Sequence, residues 1–155
     1  MTVATKTPIQ LHALQVTFLL DEDDTSGQST VFETRVPVGA FVPPPHSHDG
    51  FDETIYVLEG TFTVRCDGEV RQLHPGDAAF VGRGQVHDFE NAGDVDGVFL
   101  SVATPGVFTP AYFHEIAEVL DRSPGGPPDP GALMAVMTRH GLTPAAPVPQ
   151  VPRPI

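Results

Sequence analysis

Short runs of alternating or continuous apolar residues recur between residues 11 and 104, each β-branched or aromatic in character and each bounded by turn-forming residues. They predict eight strands at 14–20, 30–38, 53–58, 61–66, 69–73, 78–81, 86–91 and 97–103. Within 61–66 the alternation sets Phe62, Val64 and Cys66 on one face and Thr61, Thr63 and Arg65 on the other, the pattern of a half-buried strand. Asp67-Gly68 joins that run to 69–73, and a two-residue turn of this kind needs the positive φ that Gly accepts and Asp tolerates, so the two runs should pair as a hairpin. Past residue 104 the period changes. Thr109-Pro110 opens a helix with Tyr112, Ile116, Val119 and Leu120 on one stripe, and Asp129-Pro130 opens a second with Leu133, Met134 and Met137 on its apolar side and Gly141 as its stop. The chain is therefore divided into an all-β barrel over 1–104, a helical extension packed on it over 105–141, and an extended proline-rich tail over 142–155.

Composition sharpens this picture in three ways. The 15 Gly and 17 Pro imply frequent turns, and nine of the prolines lie in 124–155, where the barrel pattern has ended. The net charge of −12 removes nucleic acid as a partner, since such binders present a basic face. One cysteine, Cys66, excludes an intramolecular disulfide and a cysteine-rich zinc site, and its place on the apolar face of 61–66 makes it core packing. No apolar run approaches the roughly 20 residues that span a bilayer, and the first 15 residues lack a signal peptide's pattern, so a cytoplasmic protein without a membrane partner is expected. The acidic run Asp21–Asp24 has no fixed oxygen-ligand spacing and reads as a solvated loop.

The chemistry concentrates in two segments, GAFVPPPHSHDGFDETIYVLEG at 39–60 and GDAAFVGRGQVHDFEN at 76–91. His46 and His48, two apart, point the same way on an extended chain and lie close enough to share one ion. Glu53 falls an odd number of residues from His48 and would face away on a straight strand, but Asp49-Gly50 can break the strand and reset that parity. His87 begins an alternating run in the second segment. Three imidazoles and one carboxylate suit one divalent transition metal (Fe, Ni, Mn, Co, Cu or Zn) and leave positions open, whereas calcium and magnesium prefer oxygen ligands throughout. His12, His74, His114 and His140 lie outside these segments and read as structural or exposed.

Both segments closely resemble the paired motifs of the cupin superfamily. His46-x-His48, four residues, Glu53, six residues and Gly60 match the first motif, with Gly39 one residue further upstream than usual. Gly76, Gly84, His87 and Asn91 match the second at full spacing, with Gly82 in place of the usual proline, a change expected to loosen the turn. The resemblance implies a double-stranded β-helix, a jelly-roll-like barrel, with His46, His48, Glu53 and His87 as metal ligands. It also implies a substrate pocket, and alternation puts Ile55, Val57, Phe62, Val64 and Phe89 on the ligand-bearing faces, with Phe41 and Phe51 flanking the first motif. Those residues equally suit the filled interior of a small barrel. TPGVFTPAYFHEIAEVL and the later TRHGLTPAAP resemble the tail of quercetin 2,3-dioxygenase-like cupins, which implies a metal-dependent dioxygenase acting on a small cyclic or aromatic enol, with Glu53 as catalytic base as well as ligand. Redox-neutral cyclisation or isomerisation, and non-catalytic binding of a small ligand, are the alternative expectations. Tyr56 and Leu58 face outward on the predicted strand 53–58, and with the pairing habit of cupins they suggest a homodimer.

Overall fold

A computed structural model describes residues 1, 3 and 6–145. All eight predicted runs are strands: β2 (Leu14–Leu20), β3 (Thr30–Val36), β5 (Asp52–Glu59), β6 (Phe62–Cys66), β7 (Glu69–Leu73), β8 (Ala78–Val81), β9 (His87–Asn91) and β10 (Gly97–Thr104). Three more, each of three residues, were not expected as strands: β1 (Ile9–Leu11), β4 (His46–His48) and β11 (Leu142–Pro144). Three residues are too few for alternation to register, and each exists because a neighbour offers an edge to pair with.

The strands form two antiparallel sheets, in the order β1-β2-β3-β10-β5-β8 and β11-β4-β9-β6-β7. The fold is the all-β cupin architecture, with the apolar core between the sheets. Phe18, Phe32, Val57, Phe62 and Phe99 are among its buried members. At the predicted hairpin, Asp67 and Gly68 both take positive φ, 46° and 85°, and Phe62 pairs with Leu73 in register. Cys66 packs against the core, and burial pushes its thiol pKa up, which keeps it a packing residue. Thr63, placed on the outer face, is buried as well. Glu90 sits directly across from it and binds Arg65, two residues along the same face.

Two helices follow the barrel, α1 (Pro110–Asp121) and α2 (Pro130–Arg139). Their starts fall where expected, with one difference. The Asp129 side chain accepts from the Gly131 N–H, as a cap should, while the Thr109 hydroxyl makes no capping bond. On α2 the buried side is Leu133, Val136 and Met137, and Met134 is 51% exposed. Leu133 and Met137 lie on the expected side, and Val136 takes the place expected of Met134. α1 packs against β1 and α2 against β11, edge strands of the two sheets, and the Glu115 carboxylate on α1 holds both Arg139 and His140 at the end of α2.

The segment after Gly141 starts as a strand. Leu142 pairs with His48 and Pro144 with His46, the Ala145 N–H donates to the Pro45 carbonyl, and the rest of the expected tail lies outside the described residues. The acidic run is tied down more than a solvated loop would be, for Lys6 reaches Asp21 at 2.6 Å and Asp24 at 2.9 Å. None of the helices in the described residues is long and apolar enough to cross a membrane.

Candidate metal centre

His46 and His48 sit on β4, and His87 starts β9 beside it, directly opposite His46 in the register. Glu53 comes from the other sheet. The chain leaves β4 at His48, turns at Asp49-Gly50 and enters β5 across the interior, so Glu53 faces the histidines from the opposite wall. The parity break expected at Asp49-Gly50 is thus a change of sheet. Pro43–Pro45 lead into β4, and the Gly84 N–H donates to the His48 carbonyl at 2.9 Å, which ties the second motif's turn to the ligand strand. Gly82, expected to loosen that turn, instead donates its N–H to Gln85 Oε1 at 2.8 Å, a bond proline has no hydrogen to make.

One nitrogen each of His46, His48 and His87 lies within 4.8 Å of the others, and all three side chains are buried. The Nδ1 of His46 is 2.8 Å from the Pro44 carbonyl and that of His87 is 3.0 Å from the Gln85 carbonyl. A carbonyl only accepts, so each Nδ1 carries the proton and each Nε2 of the neutral ring presents a lone pair inward. His48 Nε2 lies 3.2 Å from His46 Nε2, while His48 Nδ1 is buried with no hydrogen-bond partner among the described residues. Glu53 Oε2 stands 3.6 Å from His48 Nε2 and 3.7 Å from His87 Nε2. Atoms each about 2.1 Å from one ion, about 90–110° apart, would be separated by roughly 3.0–3.4 Å; the His46–His48 pair falls in that range and the Glu53 pairs lie a few tenths of an ångström beyond it, so small side-chain movements would bring this donor set onto a divalent transition metal. A cation at the meeting point satisfies lone pairs that a single His48 proton cannot serve together.

Electrostatics favour the ligand forms. Burial, with the neighbouring His87, holds His46 down to about 4, and burial holds His48 down to about 3, so both rings are neutral near pH 7. Burial alone would raise Glu53, but the facing His87 and His48 outweigh it and hold the carboxyl at about 2. Burial likewise opposes a charge on His87, and Glu53 overrides it, raising the His87 value.

The donors form one wall of a cavity with space of about 60 Å3 for the centres of solvent molecules, whose other walls include Ile55, Phe89, Phe99, Phe108 and Tyr112. Of the residues expected to line a pocket, Ile55 and Phe89 do so here. Val57, Phe62 and Val64 are core instead, on the interior side but away from this cavity. Phe51 is buried behind His48, ring centroids 4.1 Å apart and nearly parallel, and so braces that imidazole and is not part of the cavity's lining. Phe41 is 55% exposed and lines a neighbouring cavity. Sequence reading missed Phe32 and Thr34, which the alternation of β3 would have supplied, and Phe108 and Tyr112, which reach the cavity only because the helical segment folds back over the barrel.

A two-sheet antiparallel barrel with three converging histidines and a facing carboxylate in its interior defines a small β-barrel of metal-centre type. The Cupin domain family matches residues 32–103, and the chain belongs to the cupins. It is 34% identical over 86 residues to the tetracenomycin polyketide synthase protein TcmJ of Streptomyces glaucescens, which covers 56% of this chain and 58% of TcmJ. It is 32% identical over 103 residues to quercetin 2,3-dioxygenase of Bacillus subtilis, covering 66% of this chain and 29% of that one. The polyketide cyclase RemF of Streptomyces resistomycificus superposes with a TM-score of 0.53 at 29% identity, over 60% of this chain and 66% of RemF. The chain spans less than two thirds of the length of either curated relative.

Proposed function

We propose that this chain is a metal-dependent enzyme acting on a small cyclic or aromatic enol, with one divalent transition-metal ion held by His46, His48, Glu53 and His87. The observation that carries this reading is a buried three-histidine, one-carboxylate set at the wall of a cavity otherwise lined by aromatic and aliphatic side chains. When bound, the ion supplies Lewis acidity toward a substrate oxygen and, if redox-active, a route to oxygen chemistry. The chain's own residues do the rest. Phe89, Phe99 and Phe108 exclude water and hold a flat ring, and Pro44 and Gln85 fix two ligand rings through their Nδ1 protons. Glu53 is ionised, and though its low pKa makes it a weak base, Oε2 faces the cavity where it takes the proton of a substrate hydroxyl seated against it.

Dioxygenation of the quercetinase kind is the first reading, supported by the likeness to the Bacillus subtilis enzyme. A redox-neutral cyclisation is the second, favoured by the likeness to TcmJ and RemF. Protein loaded separately with Fe(II), Ni(II) and Mn(II) is to be given quercetin and a linear poly-β-keto thioester under an oxygen electrode. Oxygen uptake matched to substrate loss supports the first, and product without uptake supports the second. Binding with no product under any metal rejects both in favour of a ligand-binding module.

The same reading includes a homodimer. Tyr56 and Leu58 on β5 and Phe80 on β8 are 41%, 40% and 65% exposed and share the outer face of one sheet, which the helices leave uncovered. Sedimentation that finds a single 16.5 kDa species at micromolar concentration rejects the dimer.

A further inference from the structure

Beside the cavity at the histidines lies a second one, between the 41–44 segment and the two helices. Leu11, Leu14, Pro43 and Tyr112 wall both. The outer cavity's remaining lining, from Phe41 and Pro44 to Ile116, Leu120, Leu133 and Met137, has no side-chain oxygen or nitrogen, so the Tyr112 hydroxyl is its one such group. Tyr112 is 4% exposed, and among the described residues its hydroxyl makes no hydrogen bond, although a buried tyrosine usually finds a partner. The ring itself is fixed, 5.0 Å from Phe108 and 5.6 Å edge-on to His140, and Phe108 in turn lies 6.0 Å from the His48 ring. Tyr112 is therefore a rigid ring with an unpartnered donor at the junction of two apolar chambers, one aromatic ring removed from a candidate ligand.

We propose that Tyr112 Oη is the polar anchor of the pocket, donating a hydrogen bond to an oxygen of a flat polycyclic aromatic that spans both chambers, and so selecting oxygenated rings over hydrocarbon ones. The inference rests on the aromatic-enol reading above and adds the residue that sets its specificity. Phe41 and Pro43, at the outer chamber, mark the side from which such a molecule enters.

The test compares 1-naphthol with naphthalene, by fluorescence titration, on wild type and Tyr112→Phe, each zinc-loaded and metal-free. Wild type should prefer 1-naphthol, and Tyr112→Phe should lose about tenfold of that preference in both metal states, the size of one neutral hydrogen bond. A merely structural tyrosine would weaken both probes alike. An unchanged preference overturns the proposal. A preference no larger with zinc than without counts against the metal-bound-enol reading and leaves the Tyr112 comparison intact, while failure of 1-naphthol to bind overturns both. Should Tyr112→Phe fail to fold, Tyr56→Phe leaves Tyr112 as the sole tyrosine of the two in the chain. Its 13Cζ resonance must then move further with 1-naphthol than with naphthalene, and equal shifts overturn the proposal.

Discussion

Asn91 closes the second motif without touching the metal centre. Its side-chain amide donates to the Val36 and Val95 carbonyls, both at 2.9 Å, and its Oδ1 accepts from the Gly93 N–H at 3.0 Å. Asn91→Ala should therefore lower stability by about 1–3 kcal/mol, read as a shift in urea midpoint, with metal content unchanged. His48→Ala should act the other way round, cutting bound metal sharply in elemental analysis of loaded protein, since two imidazoles remain where three converged. Glu53→Gln keeps the shape and discards the base. Retained metal with turnover down by roughly 100-fold or more supports the proton-transfer role, and near-normal turnover would sink it. All four candidate ligands were legible in the sequence as residue types at set spacings. What holds them was not, because the carbonyls that fix the His46 and His87 tautomers belong to Pro44 and Gln85, whose acceptors depend on the path of the backbone.

Among the elements, the strands of four residues or longer were readable from their apolar pattern and flanking turns, and β2, β7 and β8 were placed to the residue. The three-residue ones were not, since β4 and β11 owe their existence to partners far along the chain and β1 to its hairpin with β2. β6 shows how one glycine sets a junction. Gly60, before it, has φ of 76°, and a Cβ there would stand 2.7 Å from the Gly97 Cα. Gly60→Ala is expected to destabilise the barrel by more than about 1 kcal/mol, measured by thermal melting, because both the backbone region and the space are denied. Leu142→Ala should cost about 2–5 kcal/mol. Leu142 is 1% exposed and lines the cavity, so the same variant should also weaken metal retention, as seen by competition with a chelator.

At the scale of the whole molecule, acid acts on the metal-free protein through its buried histidines. His46 and His48 have folded-state values of about 4 and 3 against 6.5 for a free imidazole, so the unfolded chain binds more protons between those limits and stability falls as pH drops below 6.5. His87, raised, has the opposite sign: its contribution is present below 6.5 and lost as pH rises through its folded value. Two groups against one give a net loss on acidification, and Glu53, at about 2 against 4.5, extends it below pH 4.5. The urea midpoint of metal-free protein should be lower at pH 5 than at pH 7, and an equal or higher midpoint would contradict these assignments. The acidic balance and the barrel class were both plain from the sequence. The cover of the cavity was not, because the period of α1 gives its apolar stripe, Tyr112 included, but not what that stripe faces.

The strand that carries His46 and His48 is flanked by β9 on one side and β11 on the other, and β11 joins it from far downstream, with Thr143 bonding Asp49 across 94 residues. Vectorial synthesis makes this a matter of timing. A nascent chain has both motifs in hand once residue 91 is made, yet one edge of β4 stays open until residue 144 has left the ribosome. Contacts of such sequence separation form late, because loop closure must precede them. The ligand strand is therefore finished near the end of folding, and an ion captured by the emerging chain would meet mobile imidazoles before it met a fixed cage.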